Sequence, residues 1–472
     1  MVTGSCIVFY SHPRESSLTA IFRSLEVCCC SRVYVVSSRR RGGEVKELLK
    51  VLKRLVPNVE FKALSIIPDV ETDPKGISEV IKVLRNEPFI KESTCFIASA
   101  GSRLEVASLS TVIRRELTDI IYVSFLWGPW RGTYYPFTPR PTQVAYVLHP
   151  GSELFSECSE GFLRLDGLVE LLSMEDVPVL RGEVLKSQLM INRDLSSKCL
   201  STDGELSNCG RLRVAIRFRG RELVSAEVSD YCSWSDVIKL TEVLSSGADD
   251  VMSKYGLGSK EYAIVNTLLN VSGTKLLVIR DSIGSDLRSY VGKALIELMR
   301  GYEGSLLIDT NVIYAGVHNY LHEEPRLASK LVVPLSTYVE MYDHQVHTDN
   351  DPYRVLRAEV SKLLINELSH FKPVVRRDVV VTPSEVGIAT TKEYVAVTSD
   401  RRAFNNLYKL LGREAVLTES VPVAKVEFLS SEFSRRVAYS YYAIAQLRAL
   451  GKLVSNSVRR LGIDVEVLIS KS

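Results

Sequence analysis

Asp309 stands directly behind the apolar run Leu306, Leu307 and Ile308 and ahead of Thr310 and Asn311, in the stretch "SLLIDTNVIYAG". A carboxylate at the end of a core strand is costly to desolvate unless a cation or hydrogen-bond donors compensate it. It can cap the helix that follows, as aspartate commonly does, or it can hold a metal ion. Three further carboxylates bear on that choice. Glu340 lies in "VVPLSTYVEMYDH", Glu385 in "VVVTPSEVGIATT" one residue beyond Ser384, and Asp400 ends the apolar run "YVAVTSD". Four acids at one place would repel one another unless a divalent cation neutralised them, and hard carboxylate oxygens suit Mg2+ or Mn2+.

The acids meet only if strands and helices carry them to a common edge. Residues 304–472 have an α/β pattern. Asp309 and Asp400 fall at strand ends, while Glu340 and Glu385 fall on or near helix starts. In a parallel sheet, the carboxyl ends of strands and the N-termini of the following helices share one edge, where such folds place their sites. Asp309, Glu340, Glu385 and Asp400 are therefore expected to converge there. The region closes on the long amphipathic segment "SSEFSRRVAYSYYAIAQLRALGKLVSNSVRRLG", which carries Arg435, Arg436, Arg448, Arg459 and Arg460 with Tyr439, Tyr441 and Tyr442. Such a helix can track RNA phosphates and stack bases, or its tyrosines can pack in a core or at a dimer contact.

With their phrasing, "LLIDTNVIY", "VPLSTYVEM", "TPSEVGIAT" and "VTSDRRAF" resemble the four acidic motifs of PIN-domain nucleases, in that family's order, over about residues 304–420. The third acid is usually Asp in the family and is Glu385 here. The resemblance implies metal-dependent phosphodiester hydrolysis, with the four carboxylates holding one or two Mg2+ or Mn2+ ions. One metal would activate a water and another would stabilise the departing oxygen. Asn311 would hydrogen-bond a metal ligand, and Thr398 and Ser399 would either do the same or simply cap the next helix. Two nearby segments are decoys. "DHQVHTDND" (343–351) offers His344, His347 and acids but lacks an H-E-x-x-H pattern, so a solvated loop is the expectation; Arg376, Arg377 and Asp378 read as surface charge.

Residues 1–150 alternate strand-like runs ("CIVFY", "RVYVVS", "VEFKAL", "TCFIAS", "IIYVSFL") with amphipathic segments, and "TQVAYVLH" offers an antiparallel edge. This predicts a Rossmann-like parallel sheet covered on both faces. Its ligand crevice is expected at the switch between the first and fourth strands. The loops after those strands are "YSHPRESS" (10–17) and "ASAGSRLE" (98–105). Both lead into helix N-termini, which attract phosphate. No G-x-G-x-x-G follows the first strand, and "SSRRR" stands where a ribose-binding acid would be, which argues against NAD. A phosphate-rich ligand fits Ser11, Arg14, Ser16, Ser99, Gly101, Ser102 and Arg103. Trp127, Trp130, Tyr134 and Tyr135 either stack bases or pack as a cap over the sheet edge.

In layout and loop position, residues 1–150 resemble the CRISPR-associated Rossmann fold (CARF). The resemblance implies a sensor of cyclic oligoadenylates acting as a homodimer, whose isologous contacts would duplicate each donor. Sensors of this family occur fused to nucleases, PIN included. Between the two halves, residues 151–303 read as a connecting domain. It carries a hairpin turning at Arg219–Gly220, a helix near 235–255, and no chemistry-bearing motif.

The 472 residues suit two or three domains. A formal charge of +3 restricts nucleic-acid contact to local patches. No apolar run is long enough to span a membrane, and no signal-peptide pattern opens the chain. The nine cysteines lack an even framework and read as buried thiols of a cytoplasmic protein, with Cys199–Cys209 as a conceivable bridge. The expectation is a cyclic-oligoadenylate-regulated ribonuclease of type III CRISPR defence acting on single-stranded RNA. The alternatives are an RNA-processing or toxin-type PIN nuclease, or a non-catalytic nucleotide-binding regulator.

Overall fold

The computed structural model describes residues 4–12, 14–67, 76–113, 118–126, 128–149, 177–194, 209–277, 299, 301–346, 350–377, 395–400, 402–406, 415–417 and 430–470. The architecture is mixed α/β, built on three sheets. The first comprises β1 (Gly4–Phe9), β2 (Cys30–Ser38), β3 (Glu60–Ile67), β4 (Cys95–Ile97), β5 (Asp119–Phe125) and β6 (Gln143–His149). Their order is β3-β2-β1-β4-β5-β6, parallel except for β6, which runs antiparallel along β5. Helices α1 (Arg14–Cys28), α2 (Gly42–Leu55), α3 (Gly76–Asn86), α4 (Pro88–Glu92) and α5 (Arg103–Ser110) accompany it.

The fully buried β1 shows why this sheet is covered twice. Cys6, Val8 and Tyr10 point into a core with Leu18, Ile21 and Leu25 of α1 and Leu48 and Leu52 of α2. Ile7 and Phe9 point the other way, into a core with Val80 and Leu84 of α3 and Leu109 of α5. Period-two alternation with both faces buried is what a parallel sheet between helix layers requires. Because β1 has β2 on one side and β4 on the other, the strand order reverses there.

Next come α6 (Val179–Asp194), a hairpin of β7 (Arg211–Phe218) and β8 (Arg221–Val228), α7 (Trp234–Tyr255) and α8 (Lys260–Val271). The hairpin turns at Arg219–Gly220, as expected, with both residues at positive φ (50° and 73°). That is the backbone of the two-residue turn that matches strand twist.

A second sheet follows: β9 (Leu306–Ile308), β10 (Leu331–Pro334), β11 (Val374–Arg376), β12 (Val395–Thr398) and β13 (Ala415–Leu417). All its pairings are parallel, in the order β11-β10-β9-β12-β13, so β9 is a second point of reversal. Its described helices are α9 (Thr310–Tyr314), α10 (His318–Glu323), α11 (Leu335–Gln345) and α12 (Pro352–Phe371).

The chain's end does not stay with this sheet. After α13 (Ser430–Val458), β14 (Ile463–Ser470) pairs antiparallel with β7, from Ile463↔Phe218 to Ser470↔Arg211. Helix α13 is embedded along the way. Tyr441 and Tyr442 are buried, Tyr441 Oη donates to the Tyr231 carbonyl, and Trp130 Nε1 donates to the Ala438 carbonyl. These tyrosines therefore pack rather than face solvent.

Seven described cysteines are disulfide-bonded, where thiols were expected. Cys6–Cys30, Cys28–Cys95 and Cys209–Cys232 are the described pairs. Cys209 thus pairs with Cys232; Cys199 lies outside the described residues. Asp230 Oδ1 accepts from the backbone N–H of both Cys209 and Cys232, which draws their Cα atoms to 5.6 Å. Among the described residues, no helix is long and apolar enough to cross a membrane.

Candidate active site

At the reversal point of the second sheet, the ends of β9 and β12 lie side by side, and the Asp309 N–H donates to the Val397 carbonyl (3.0 Å). Asp309 is nearly buried, at 3% exposure, and is the N-cap of α9. Its Oδ1 accepts from the Thr310 N–H at 2.8 Å. Its Oδ2 accepts from Asn311 Nδ2 (2.6 Å) and Thr398 Oγ1 (2.9 Å). Donors to an ionised carboxylate offset its desolvation and fix its orientation. Asn311 is pinned in turn: its Oδ1 accepts from the Ser399 N–H (2.7 Å) and Ser399 Oγ (2.8 Å). Capping and site-building are therefore not alternatives for Asp309, because its two oxygens divide the work.

Glu340, on α11 after β10, reaches the same edge. Its Oε2 accepts from Thr310 Oγ1 at 2.8 Å, which links it to Asp309 through one residue. Its Oε1 lies 3.9 Å from His344 Nε2, and His344 Nδ1 meets Tyr314 Oη at 2.9 Å. Burial pushes the Tyr314 phenol up to about 12, so it stays protonated. His344 is thus a buried neighbour of Glu340 rather than part of a solvated loop; His347 lies outside the described residues. Asp400 follows Thr398 and Ser399 and is exposed. Its N–H donates to Thr398 Oγ1 (3.1 Å), while its Oδ1 accepts from the N–H groups of Arg402 (2.6 Å) and Ala403 (3.3 Å). Glu385 and Asp378 lie outside the described residues.

Asp309, Glu340 and Asp400 thus share the carboxyl-end edge around β9. Their oxygens are not drawn together within 4.8 Å; among the described residues, the groups that close are Cys6–Cys28–Cys95 and Cys209–Asp230–Cys232. The all-oxygen donor set fits a hard divalent cation.

The first sheet presents a second edge. The loops after β1 and β4 are adjacent: Gly101 has φ +99°, and a Cβ there would lie 2.6 Å from Phe9 Cβ, so only glycine fits. The β1 loop folds onto α1, with the Ser11 N–H donating to Ser17 Oγ and Ser17 Oγ donating back to the Ser11 carbonyl. Ser11 Oγ is buried with no partner among the described residues. Arg14 is exposed and Ser16 half-buried in the first turn of α1. Across from it, Ser102 forms a capping box with Glu105, so its hydroxyl is engaged in starting α5. Arg103 is exposed at that helix start, and Ser99 is half-buried.

The aromatic loop packs. Trp130 and Tyr135 are buried, and Trp130 meets Tyr442 edge to face at 5.1 Å. Tyr134 is mostly buried against Phe22 and Phe137, and burial raises its phenol's pKa. Trp127 lies outside the described residues. Beneath Tyr135, Glu26 is half-buried and accepts from Tyr135 Oη and Arg140 Nη2. Burial pushes its carboxyl up, but the Arg140 and Arg23 guanidiniums outweigh that and hold it below the usual range.

One buried polar cluster carried no sequence signal. Glu367 of α12, fully buried, accepts from the Leu180 N–H at 2.5 Å and so caps α6 from another element. Its Oε2 lies 3.5 Å from His322 Nε2. Arg181 stands 5.4 Å from the Trp130 ring and 5.1 Å from the Tyr442 ring, and donates to the Pro129 carbonyl at 2.7 Å. These residues are spread over five segments, so nothing local announces them.

Comparisons with protein-family models, with curated proteins and with solved structures find no match to this chain.

Proposed function

We propose that this chain is a divalent-metal-dependent endoribonuclease of type III CRISPR defence, controlled by a cyclic oligoadenylate at its first sheet. The single observation that carries the nuclease reading is the Asp309 constellation. An acid at the reversal point of a parallel sheet is oriented by Asn311 and Thr398 and coupled through Thr310 to Glu340. Asp309, Glu340, Glu385 and Asp400 would hold Mg2+ or Mn2+, which supplies an activated water and neutralises charge on the scissile phosphate.

The chain's own residues then have distinct tasks. Asn311 and Thr398 keep one Asp309 oxygen fixed, while the Thr310 N–H keeps the other at the start of α9. The Thr310 hydroxyl turns Glu340 toward the same edge. Preorganised groups of this kind avoid reorganisation at the moment of reaction. At the first sheet, the exposed Arg14 and Arg103 at the starts of α1 and α5 would meet ligand phosphates, where helix N-termini add favourable partial charge. The segment 127–135 supports a route between the halves, since Trp130 is anchored on α13. A ligand can shift the acid edge only by binding one arrangement better than another.

The test is cleavage of single-stranded RNA and single-stranded DNA by the full chain with Mn2+, with and without cyclic oligoadenylates of several ring sizes. Metal-dependent RNA cleavage that rises with one ring, and is absent in Asp309→Asn, is the expected result. Cleavage indifferent to every ring would favour an RNA-processing or toxin-type nuclease. Ligand binding without cleavage would favour a non-catalytic regulator. In either reading a homodimer is expected, which sedimentation would show.

A further inference from the structure

Four cysteines of the first sheet come from four places in the chain and end in one volume. Cys6 lies in β1 and Cys95 in β4, directly opposite each other in the parallel pairing. Cys28 is the last residue of α1, and Cys30 is the first of β2. Between them Cys29 takes positive φ (49°), a left-handed conformation uncommon for a side-chain-bearing residue. That reversal brings Cys28 and Cys30 toward the same core. Cys6, Cys30 and Cys95 are buried, while Cys28 is half-buried and gives access from solvent.

The sulfurs of Cys6, Cys28 and Cys95 all lie within 4.8 Å of one another, and Cys30 is joined to Cys6. Two disulfides serving only as staples need just two sulfurs each and have no reason to share a volume. A tetrahedral tetrathiolate does need it: Zn–S bonds of about 2.3 Å place the sulfurs about 3.8 Å apart. The Cα separations, 5.9 Å for Cys6–Cys30 and 6.3 Å for Cys28–Cys95, also fall within the disulfide range of roughly 4.4–6.8 Å. The same backbone therefore serves both states. The cluster sits at the amino ends of the strands, opposite the loops of residues 10–17 and 98–105, so it is not part of the crevice proposed above.

We propose that Cys6, Cys28, Cys30 and Cys95 form a redox-gated zinc site. In the oxidised chain they are two disulfides. Two molecules of a dithiol reductant reduce both, each giving two electrons and two protons and leaving as its own disulfide. The four thiols then bind one Zn2+ and release four protons. Dioxygen, reduced to two water molecules by the four electrons of the tetrathiolate and four protons from solvent, returns the cysteines to two disulfides and ejects the ion.

The full chain is oxidised in air, or reduced with a small dithiol and incubated anaerobically with Zn2+. After desalting, zinc is counted with a chromogenic chelator and free thiols by alkylation and mass spectrometry. The expected result is no zinc and four unreactive cysteines in the oxidised chain, against one zinc and four shielded cysteines after reduction. The double variant Cys6→Ser, Cys95→Ser should lose the zinc, whereas Cys209→Ser, which disables the Cys209–Asp230–Cys232 group, should keep it. If the double variant fails to fold, Cys28→Ser at the half-buried helix end carries the test, with zinc affinity lowered at least 10-fold. Four alkylatable thiols in the presence of Zn2+, or zinc content unchanged in Cys28→Ser and the double variant, would overturn the proposal.

Discussion

Asp309 and Glu367 are both withdrawn from water, at 3% and 0% exposure, yet their surroundings are opposite. Asp309 sits at a sheet edge with three donors on its two oxygens. Glu367 sits inside a helix junction where the Leu180 N–H, and more weakly the Arg181 N–H, meet its carboxyl, and its second oxygen stands 3.5 Å from His322 without a hydrogen bond. Donors stabilise the charged form of a carboxylate, while burial without them favours the neutral one. Accordingly, burial pushes the Glu367 carboxyl up to about 8. The first arrangement keeps a charge available to a cation. The second serves α6 as a neutral cap and joins parts of the chain far apart in sequence. Burial of an acid does not by itself mark a site; the donors around it tell the two uses apart.

The comparison is broken most directly by exchanging the effects of mutation. Asp309→Asn should lower RNA cleavage by roughly 100-fold or more, the scale for removing one strong electrostatic stabiliser, while thermal unfolding stays close to wild type. Glu367→Ala should do the reverse. It strands the Leu180 N–H and leaves a hole, at a cost of about 1–3 kcal/mol for an unsatisfied buried group. Per-molecule cleavage in the folded fraction should persist. Calorimetric melting with single-turnover cleavage separates the two. A Glu367→Ala chain of wild-type stability would show that the junction does not need its carboxyl.

Asp309 and Asp400 could be placed at one edge from sequence because each follows a strand whose apolar pattern is local, while Glu340 reaches it from the middle of α11. Leu306–Ile308 announce β9 with Asp309 directly behind, and Val395–Val397 announce β12 with Asp400 following after Thr398 and Ser399. The first sheet was legible for the same reason, and its reversal beside β1 followed from strand and helix alternation. What pairs over long distances was not. "IDVEVLIS" has strand alternation, but nothing in it names β7, more than 200 residues earlier, as its partner. Tyr441 and Tyr442 stand beside arginines, so helix patterning alone left phosphate tracking open; burial against Tyr231 and Trp130 decided for packing. The cysteines failed for a similar reason, since the sulfurs of Cys6, Cys28 and Cys95 come from three elements and meet only in three dimensions.

The pH dependence of stability sharpens the contrast. Glu367 has a folded pKa raised from 4.5 to about 8, so its contribution is full below pH 4.5 and is lost as pH rises toward 8. Burial lowers His318 from 6.5 to about 4, and His322 well below 6.5. Their contributions are present above pH 6.5 and are lost as pH falls. Arg181 from α6 and His370 from α12 both act against a charge on His322, and Tyr442 from α13 packs against its ring at 6.1 Å. Between pH 4.5 and 6.5 the unfolded chain holds two extra histidine protons and lacks one carboxyl proton, so stability rises by the equivalent of one proton. Above 6.5 only the carboxyl term remains, and stability falls by about 1.4 kcal/mol per pH unit. Denaturant unfolding should therefore peak near pH 6.5. Glu367→Gln keeps an acceptor for Leu180 without titrating, and should flatten the alkaline limb. An unchanged alkaline limb would assign that titration elsewhere.

The smallest expected effect tests whether the donors around Asp309 matter for chemistry or only for shape. Asn311 bridges the ends of β9 and β12, donating to Asp309 through Nδ2 and accepting from Ser399 through Oδ1. Asn311→Asp preserves the acceptor but replaces the donor by a second negative charge 2.6 Å from Asp309 Oδ2. Asn311→Ala removes both, yet Thr398 Oγ1 and the Thr310 N–H remain on the carboxylate. Loss of one partner of a metal ligand costs about 10- to 100-fold in affinity or activity. With two donors left, Asn311→Ala should fall near the lower end, chiefly as a raised Mn2+ requirement that excess metal restores. Asn311→Asp should instead bind Mn2+ at least as tightly while cleaving more slowly, because a misplaced second carboxylate attracts the ion without orienting Asp309. Equal Mn2+ titrations for both variants and wild type would mean that Asn311 only ties β9 to β12, and that the acid edge is no better prepared for a cation than the Glu367 junction.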